Sequence, residues 1–232
     1  MGRRHVGLSG AGAVGVSSVS HRPWGILGGT FDPIHMGHLA VAEHTRQALD
    51  LAGVLFIPAA ESPFKPERPT SPAALRVAMV ELAVAGNAAF RVSRIELERP
   101  GPSYTVDTLE MLHAEGRICG PGQPDPVLIL SVETLPGLVE WRHPQRLLEL
   151  CRVAVVPRRG YDGPQPGWLE ERFPGRGGRF VMLDGPDLGH SSSGIRERVA
   201  AGRSIRYLVP GAVARYIESH AAYGADPTDG GR

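Results

Sequence analysis

Short runs of apolar residues alternate along this chain with segments of helical periodicity, and this alternation constrains the fold more than any other feature. Four of the runs are too short for helices and too uniformly apolar for strands with one exposed face: WGILGG (24–29), VLFIPA (54–59), VLILSV (127–132) and RVAVVP (152–157). Strands that are apolar on both faces belong to a sheet that helices cover on both sides. The sequence therefore predicts an α/β fold with a doubly wound, Rossmann-like parallel sheet, which binds ligands at the carboxyl ends of its strands.

The remaining segments fit the same architecture. Ser103 is expected to cap the helix that begins at Tyr104, and Gly116 is expected to end it. We expect one domain over residues 23–222, between a disordered N-terminal extension (1–22) and a disordered tail (223–232). The other predicted elements are helices at 37–50, 75–82, 142–150, 192–201 and 210–220, strands at 90–97 and 180–184, and a Gly/Pro/Arg-rich loop at 160–178.

The composition excludes several classes of protein. Lys and Arg number 25 against 24 Asp and Glu, a net charge of +1, so the chain has no general attraction for nucleic acids or acidic membranes. No apolar run reaches the ~18–20 residues of a membrane-spanning helix. Two cysteines are too few for a disulfide scaffold. We therefore expect a cytoplasmic protein with no nucleic-acid or membrane partner, and we leave open whether it forms a homo-oligomer.

The segment GGTFDPIHMGH (28–38) carries the strongest chemical signal, because it joins the first strand to the first helix. Gly28 and Gly29 allow the backbone to approach a ligand closely, and the start of the helix presents unpaired N–H groups and a positive dipole end to phosphate. His35 and His38 are three residues apart, so both imidazoles can face the same anion. The segment is neither a Walker A motif nor GxGxxG, and its position predicts a phosphate-binding site.

GGTFDPIHMGH resembles the HxGH signature of the nucleotidylyltransferase superfamily, in the form found in bacterial nicotinate-nucleotide adenylyltransferases. The resemblance extends over residues 24–222. It implies transfer of AMP from ATP, which brings Mg²⁺ with it, to nicotinate mononucleotide, giving deamido-NAD and pyrophosphate in NAD biosynthesis. It also implies an ATP site formed by Gly28, Gly29, Thr30, Phe31, His35, His38, Ser191, Ser192 and Arg196.

FIPAAESPFKPE (56–67) resembles a phosphate-binding loop of that family, FIPA…PxxK. It contains the chain's only lysine, Lys65, against 24 arginines. The presence of one lysine in so arginine-rich a chain favours a role for a compact, flexible ammonium there, and chance retention is the alternative. The resemblance implies that Lys65 contacts nucleotide phosphate. Phe64 stands where the family often has histidine, so one polar contact is missing.

Two further segments resemble the family's acceptor site. In RPGPSYTVDTL (99–109), Tyr104 and Thr105 open a helix, so that their N–H groups and the Thr105 hydroxyl can bind the nicotinate carboxylate. Trp141 matches the tryptophan that stacks on the pyridine ring, and the neighbouring Arg142 could help to hold charge. Each motif also has a structural explanation, a capped helix for the first and a core tryptophan for the second.

The segment HSSSGIR (190–196) resembles the family's ISSTxIR motif, in which serines and an arginine at the start of a helix bind the triphosphate. His190 replaces the isoleucine of that motif. A second departure is Ser131-Val132-Glu133, where the family usually reads GxD with the aspartate near nucleotide ribose. Glu133 is therefore a candidate substrate-binding residue whose carboxylate lies one methylene further out.

The mechanism that the resemblance implies is direct attack of the mononucleotide phosphate on the α-phosphorus of ATP. It needs no protein nucleophile and no protein metal site, since Mg²⁺ arrives on the nucleotide. His35, His38, Lys65 and Arg196 are the predicted catalytic residues. Two alternatives stay open: an adenylyltransferase with another acceptor, such as phosphopantetheine, and a non-catalytic nucleotide-binding regulator. We do not expect a tRNA synthetase, because the sequence shows no KMSKS-like loop, no anticodon-binding domain and no basic face.

Overall fold

The computed structural model describes residues 22–60, 70–186 and 188–224 of the chain. Within these residues, six parallel strands form one sheet in the order β3-β2-β1-β4-β5-β6. The order confirms the predicted doubly wound sheet. The strands are β1 (Trp24–Gly29), β2 (Gly53–Pro58), β3 (Phe90–Val92), β4 (Val127–Ser131), β5 (Arg152–Val156) and β6 (Phe180–Met182).

Helices cover both faces of this sheet in the described part of the chain. They are α1 (Met36–Ala48), α2 (Ala73–Val84), α3 (Thr105–Glu115), α4 (Pro144–Leu150), α5 (Trp168–Arg172), α6 (Ser192–Ala200) and α7 (Gly211–Ser219). Successive residues of a strand point to opposite faces, so Ile26 packs in a cluster with α3 and α4, whereas Leu27 packs in a second cluster with α1, α2, α6 and α7. The two clusters explain why the strands are apolar throughout.

The topology leaves a crevice beside β1. The chain runs outward from β1 to β2 and β3, then returns to place β4 on the other side of β1. β1 and β4 pair through Gly25–Val127 and Ile26–Leu128, and their pairing ends there. The carboxyl ends of the two strands therefore separate at the point where the strand order reverses, which is where doubly wound sheets bind ligands.

Several predicted boundaries were wrong. The strand predicted over 90–97 ends at Val92, because a turn in which Leu97 N–H bonds to the Arg94 carbonyl carries Ile95 and Glu96 into the interior. Ser103 does not cap α3, since its hydroxyl instead accepts a 3.1 Å hydrogen bond from the Ala60 N–H. Gly116, with φ 64°, ends α3 as predicted.

Three further differences concern loops and ends. The loop predicted over 160–178 contains the short helix α5, and α4 begins at Pro144, two residues later than predicted. Tyr223, assigned to the tail, lies in a 3-10 turn, and its hydroxyl donates to Asp32 Oδ1 at 2.7 Å. The prediction for Lys65, and those for residues 1–21 and 225–232, lie outside the described residues.

Candidate active site

A cleft of about 330 Å³ opens where the carboxyl ends of β1 and β4 separate. Its walls come from β1, β4 and β5, from the first turns of α1 and α3, and from the segment before α6. It brings together eight residues that the sequence proposed as site residues: Gly28, Gly29, Thr30, His35, His38, Thr105, Glu133 and Trp141. Six others among the described residues lie outside its lining: Phe31, Tyr104, Arg142, Ser191, Ser192 and Arg196.

His35 and His38 form one wall of the cleft. His35 is the N-cap of α1, and its backbone N–H donates to His38 Nδ1 at 3.2 Å. The two rings are stacked, with centroids 3.7 Å apart and an angle of 21° between the planes. The helix start therefore places both imidazoles against the same space, as the spacing of the motif predicted.

Gly37 permits this stacking because it has no side chain. A Cβ at Gly37 would lie 3.0 Å from Nδ1 and 3.1 Å from Cε1 of His35. The same Cβ would lie 3.4 Å from Cβ of His190, which also lines the cleft. The glycine between the two histidines thus lets the His35 ring lie flat over the first turn of the helix.

The loop between β1 and α1 is held by Arg76, a residue that sequence reasoning missed. Arg76 is 1% exposed although it carries a guanidinium. It donates to the carbonyl oxygens of Thr30 and Ala59, both at 2.8 Å, and to that of Ser71 at 2.9 Å. A buried cation satisfied by carbonyls ties the loop to the end of β2 and to the start of α2.

Phe31 and Asp32 anchor the same loop from the opposite side. Phe31 has φ 49°, is buried, and meets the edge of the His38 ring at 5.1 Å between centroids. The Asp32 carboxylate accepts from the Tyr223 hydroxyl at 2.7 Å and from the Ser71 N–H at 3.1 Å. Phe31 therefore packs against His38, and its buried side chain lies outside the lining of the cleft.

α6 also holds this loop. Ser192 Oγ donates to the Pro33 carbonyl at 2.9 Å, and the Arg196 guanidinium donates to the Asp32 carbonyl. The Ser191 hydroxyl accepts from the Gly194 N–H at 3.1 Å and so caps the helix. In this structure Ser192 and Arg196 position the segment that precedes His35, and Ser191 caps the helix that carries them.

Burial keeps both histidines of the motif neutral. Burial, helped by the nearby His190 and Arg158, lowers the pKa of His35 from 6.5 to about 3. Burial, together with His35 and Arg158, lowers the pKa of His38 well below its ordinary value. A neutral imidazole has one N–H, so each ring offers a single hydrogen-bond donor to a ligand.

Acid is expected to destabilise this protein in part through His35. Its pKa is lower in the folded state, about 3, than in the unfolded state, 6.5. The contribution to the free energy of unfolding is therefore fully present above pH 6.5 and is lost as the pH falls towards 3. Between pH 7 and pH 5 the loss is about 2 kcal/mol.

Chemical denaturation at these two pH values, on the wild type and on His35→Gln, measures this contribution. The glutamine variant, which lacks the titrating ring, is expected to lose less stability on acidification by that amount. Equal losses in the two proteins would show that His35 is protonated in the folded state at pH 5.

The acceptor residues divide between the cleft and its rim. Thr105, at the first position of α3, lines the cleft, and so does Trp141, which also packs against the core on the α3 side of the sheet. Arg142 lies over the Tyr104 ring, 4.8 Å from its centroid, and pairs with Asp107 at 3.3 Å. Tyr104 and Arg142 thus brace each other outside the opening.

The chain resembles known proteins over most of its length. The family model described as cytidylyltransferase-like matches residues 26–198. A probable nicotinate-nucleotide adenylyltransferase of Roseiflexus sp. (strain RS-1) is 48% identical over 205 residues, covering 88% of this chain and 100% of that protein. One of Dehalococcoides mccartyi (strain ATCC BAA-2266 / KCTC 15142 / 195) is 41% identical over 199 residues, covering 86% of this chain and 96% of that protein.

This chain belongs to the nicotinate-nucleotide adenylyltransferase family. The fold agrees: the structure of Plasmodium falciparum nicotinic acid mononucleotide adenylyltransferase complexed with NaAD has a TM-score of 0.73. That match covers 89% of this chain and 100% of the other at 15% identity. A putative nicotinate-nucleotide adenylyltransferase from Vibrio parahaemolyticus matches with a TM-score of 0.62, also at 15% identity, over 87% of this chain and 95% of the other.

Ser131 and Glu133, which stand where the family usually has GxD, both make contacts with neighbouring side chains at the end of β4. Ser131 ends β4, and its hydroxyl lies 3.1 Å from that of Thr134 within a turn closed by a 2.9 Å bond from the Thr134 N–H to the Ser131 carbonyl. Glu133 lines the cleft and pairs with Arg158, with 3.2 Å between Oε2 and Nε. The longer carboxylate therefore has a cationic partner at the cleft wall.

Arg158 is a cleft residue that the sequence analysis missed. It lies two positions beyond β5, at the carboxyl end of a central strand. The rule that ligands bind at such ends could have found it. It is the cation whose charge helps to lower the pKa values of His35 and His38.

Glu96 and Thr108 were missed as well. Both are buried and line the cleft on the side of α3, and the Thr108 hydroxyl donates to Glu96 Oε1 at 2.8 Å. Burial raises the pKa of the Glu96 carboxyl. The sequence analysis assigned Glu96 to the strand predicted over 90–97, and its burial depends on the turn that follows β3.

Proposed function

We propose that this protein transfers the adenylyl group of ATP to nicotinate mononucleotide, releasing pyrophosphate and forming deamido-NAD. The observation that carries the proposal is the cleft between β1 and β4. On one side it has two stacked, neutral histidines at a helix start, and on the other it has Thr105 and Trp141. One half suits a phosphate chain and the other suits a flat ring that bears a carboxylate.

The histidines are proposed to stabilise charge on the phosphates of ATP. His38 accepts the His35 N–H on Nδ1, so its own hydrogen is on Nε2 and is available to a phosphate oxygen. Donors fixed in place before the reaction stabilise developing charge without reorganising. Lys65 and Arg196 remain proposed contacts of the triphosphate, and in this structure the Arg196 guanidinium donates to the Asp32 carbonyl.

The reaction is proposed to be a direct, in-line displacement. An oxygen of the mononucleotide phosphate forms a bond to the α-phosphorus of ATP, and the bond from that phosphorus to the pyrophosphate oxygen breaks. The protein contributes orientation of the two phosphates and neutralisation of their charge. No side chain has to form a covalent bond.

Mg²⁺ is proposed to enter as part of the substrate Mg-ATP. Within residues 22–60, 70–186 and 188–224, no group of three or more His, Cys, Asp or Glu side chains could hold a metal ion. The cleft instead offers imidazoles, hydroxyls and backbone N–H groups, which suit phosphate oxygens. Phosphate and water oxygens are then the ligands of the ion, whose charge favours the departure of pyrophosphate.

The acid form of the mononucleotide is the proposed acceptor. Thr105 offers a hydroxyl and a backbone N–H at the start of α3, where the helix dipole favours an anion. A neutral carboxamide would match these donors less well than a carboxylate does.

We propose that the protein acts in the cytoplasm, because its proposed substrate ATP is available there. In the described part of the chain, no helix is long and apolar enough to span a membrane.

Release of pyrophosphate from Mg-ATP tests the proposal. Nicotinate mononucleotide, nicotinamide mononucleotide and phosphopantetheine are compared as acceptors, with a reaction lacking acceptor as the control. We expect kcat/KM to be at least about tenfold higher with the nicotinate form than with the amide, the size of one lost charge-assisted contact. Release with phosphopantetheine alone would indicate a different acceptor, and ATP binding without release would indicate a regulator.

A further inference from the structure

His190 extends the pair of motif histidines into a row of three. Its ring faces that of His35, with centroids 6.2 Å apart and 27° between the planes, and both rings line the cleft. His35 in turn stacks on His38 at 3.7 Å. Because Gly37 has no side chain, nothing separates His190 from the first turn of α1.

Hydrogen bonding favours the same tautomer for all three rings. His38 Nδ1 accepts the His35 backbone N–H, so its hydrogen is on Nε2. The Nδ1 atoms of His35 and His190 are buried and have no hydrogen-bond partner in the part of the chain that is described. A hydrogen there would be a buried donor without an acceptor, which is costly, so it belongs on Nε2. With the hydrogens assigned in this way, the row has three Nε2–H donors.

A phosphate chain is the ligand that fits such a row. Several oxygens spaced along one chain can accept from donors spaced along one wall, whereas a single carboxylate cannot reach all three. Arg158 adds positive charge beside the rings and pairs with the Glu133 carboxylate at 3.2 Å. His190 also directly precedes Ser191, the N-cap of α6.

We propose that His190 donates a hydrogen bond from Nε2 to the phosphate oxygens of ATP that leave as pyrophosphate. The proposal rests on the proposed function and deepens it. His190 stands at the end of the row beyond His35 and directly precedes the N-cap serine of α6, so the proposal places the leaving phosphates at that end of the row. In the family's motif this position is isoleucine, which has no donor, so the contact is an addition made by this chain.

Three substitutions separate hydrogen bonding from packing. His190→Phe keeps a ring and removes both nitrogens. His190→Gln places an amide N–H near the position of Nε2, whereas His190→Asn places its amide near Nδ1. His220→Phe, at an exposed histidine near the end of α7, is the control for loss of an imidazole elsewhere.

Product inhibition by pyrophosphate and the KM for ATP are measured in the full-length protein. We expect His190→Phe and His190→Asn to raise both constants roughly tenfold, the size of one hydrogen bond to a charged group. His190→Gln recovers most of the affinity, and the KM for nicotinate mononucleotide stays unchanged in all variants. Wild-type constants in His190→Phe, or equal loss in the glutamine and asparagine variants, would overturn the proposal and leave His190 a packing residue.

Direct binding of pyrophosphate, followed by calorimetry without any acceptor, keeps this test separate from the proposed function. If the wild type has no adenylyltransferase activity, weaker pyrophosphate binding in His190→Phe than in wild type still supports the contact. If the wild type is active and pyrophosphate binds the two proteins equally, only the role of His190 fails.

Discussion

Replacement of His38 by asparagine is expected to lower kcat by about 100-fold or more, the order of effect when one preorganised donor to a developing charge is removed. Asparagine can place its carbonyl oxygen where Nδ1 of His38 accepts the His35 N–H at 3.2 Å. The bond that orders the start of α1 is kept, while the Nε2–H donor is lost. The variant therefore separates the chemical role of His38 from its structural one.

The measurement compares kcat and the free energy of unfolding of the wild type, His38→Asn and His38→Gln. Glutamine carries an amide N–H near the position of Nε2 and is expected to keep more activity than asparagine. The free energy of unfolding of His38→Asn should stay close to that of the wild type. Near-normal turnover in His38→Asn would exclude His38 as a donor to the reacting phosphates.

Substitution of Gly37 by alanine is expected to lower kcat/KM for ATP by about 10-fold to 100-fold. The new Cβ would lie 3.0 Å from Nδ1 of His35, so the ring must move by a few tenths of an ångström. His35 is 4% exposed and lies between the rings of His38 and His190, which leaves little room for that movement. Small misplacements of a catalytic group are costly because reacting atoms must be held in narrow geometry.

The control for this prediction is Gly86→Ala, where an added Cβ meets no atom within 4 Å. Alanine is a better helix former than glycine by about 1 kcal/mol, which offsets part of the strain in Gly37→Ala. We therefore expect that variant to remain folded by circular dichroism while its activity falls. If its activity matches that of Gly86→Ala, the His35 ring is not held in place by the first turn of α1.

The parts of the site that the sequence predicted are those built by short stretches of chain. GGTFDPIHMGH joins a strand to a helix, so its spacing alone places His35 and His38 at one helix start, and the pairing seen in the structure follows. The apolar strands likewise predicted the sheet, because burial on both faces leaves a direct mark on composition.

The parts that the sequence did not predict depend on contacts between distant segments. Arg76 reads as an ordinary helical arginine, and only the fold brings it beneath Thr30, 46 positions away. Ser103 reads as a helix cap, but its hydroxyl is taken by Ala60, 43 positions away. Glu96 reads as a strand residue until the turn after β3 buries it. None of these partners is visible in local spacing.

The most direct test of adenylyl transfer at this cleft follows both products in one reaction. Purified protein is incubated with Mg-ATP and nicotinate mononucleotide, and pyrophosphate and deamido-NAD are measured together over time, in wild type and in His38→Asn. We predict that the two products form in equal amounts and that both are lost together in the variant. Consumption of ATP without the dinucleotide, or dinucleotide formation that the variant leaves unchanged, would contradict the assignment of this reaction to this site.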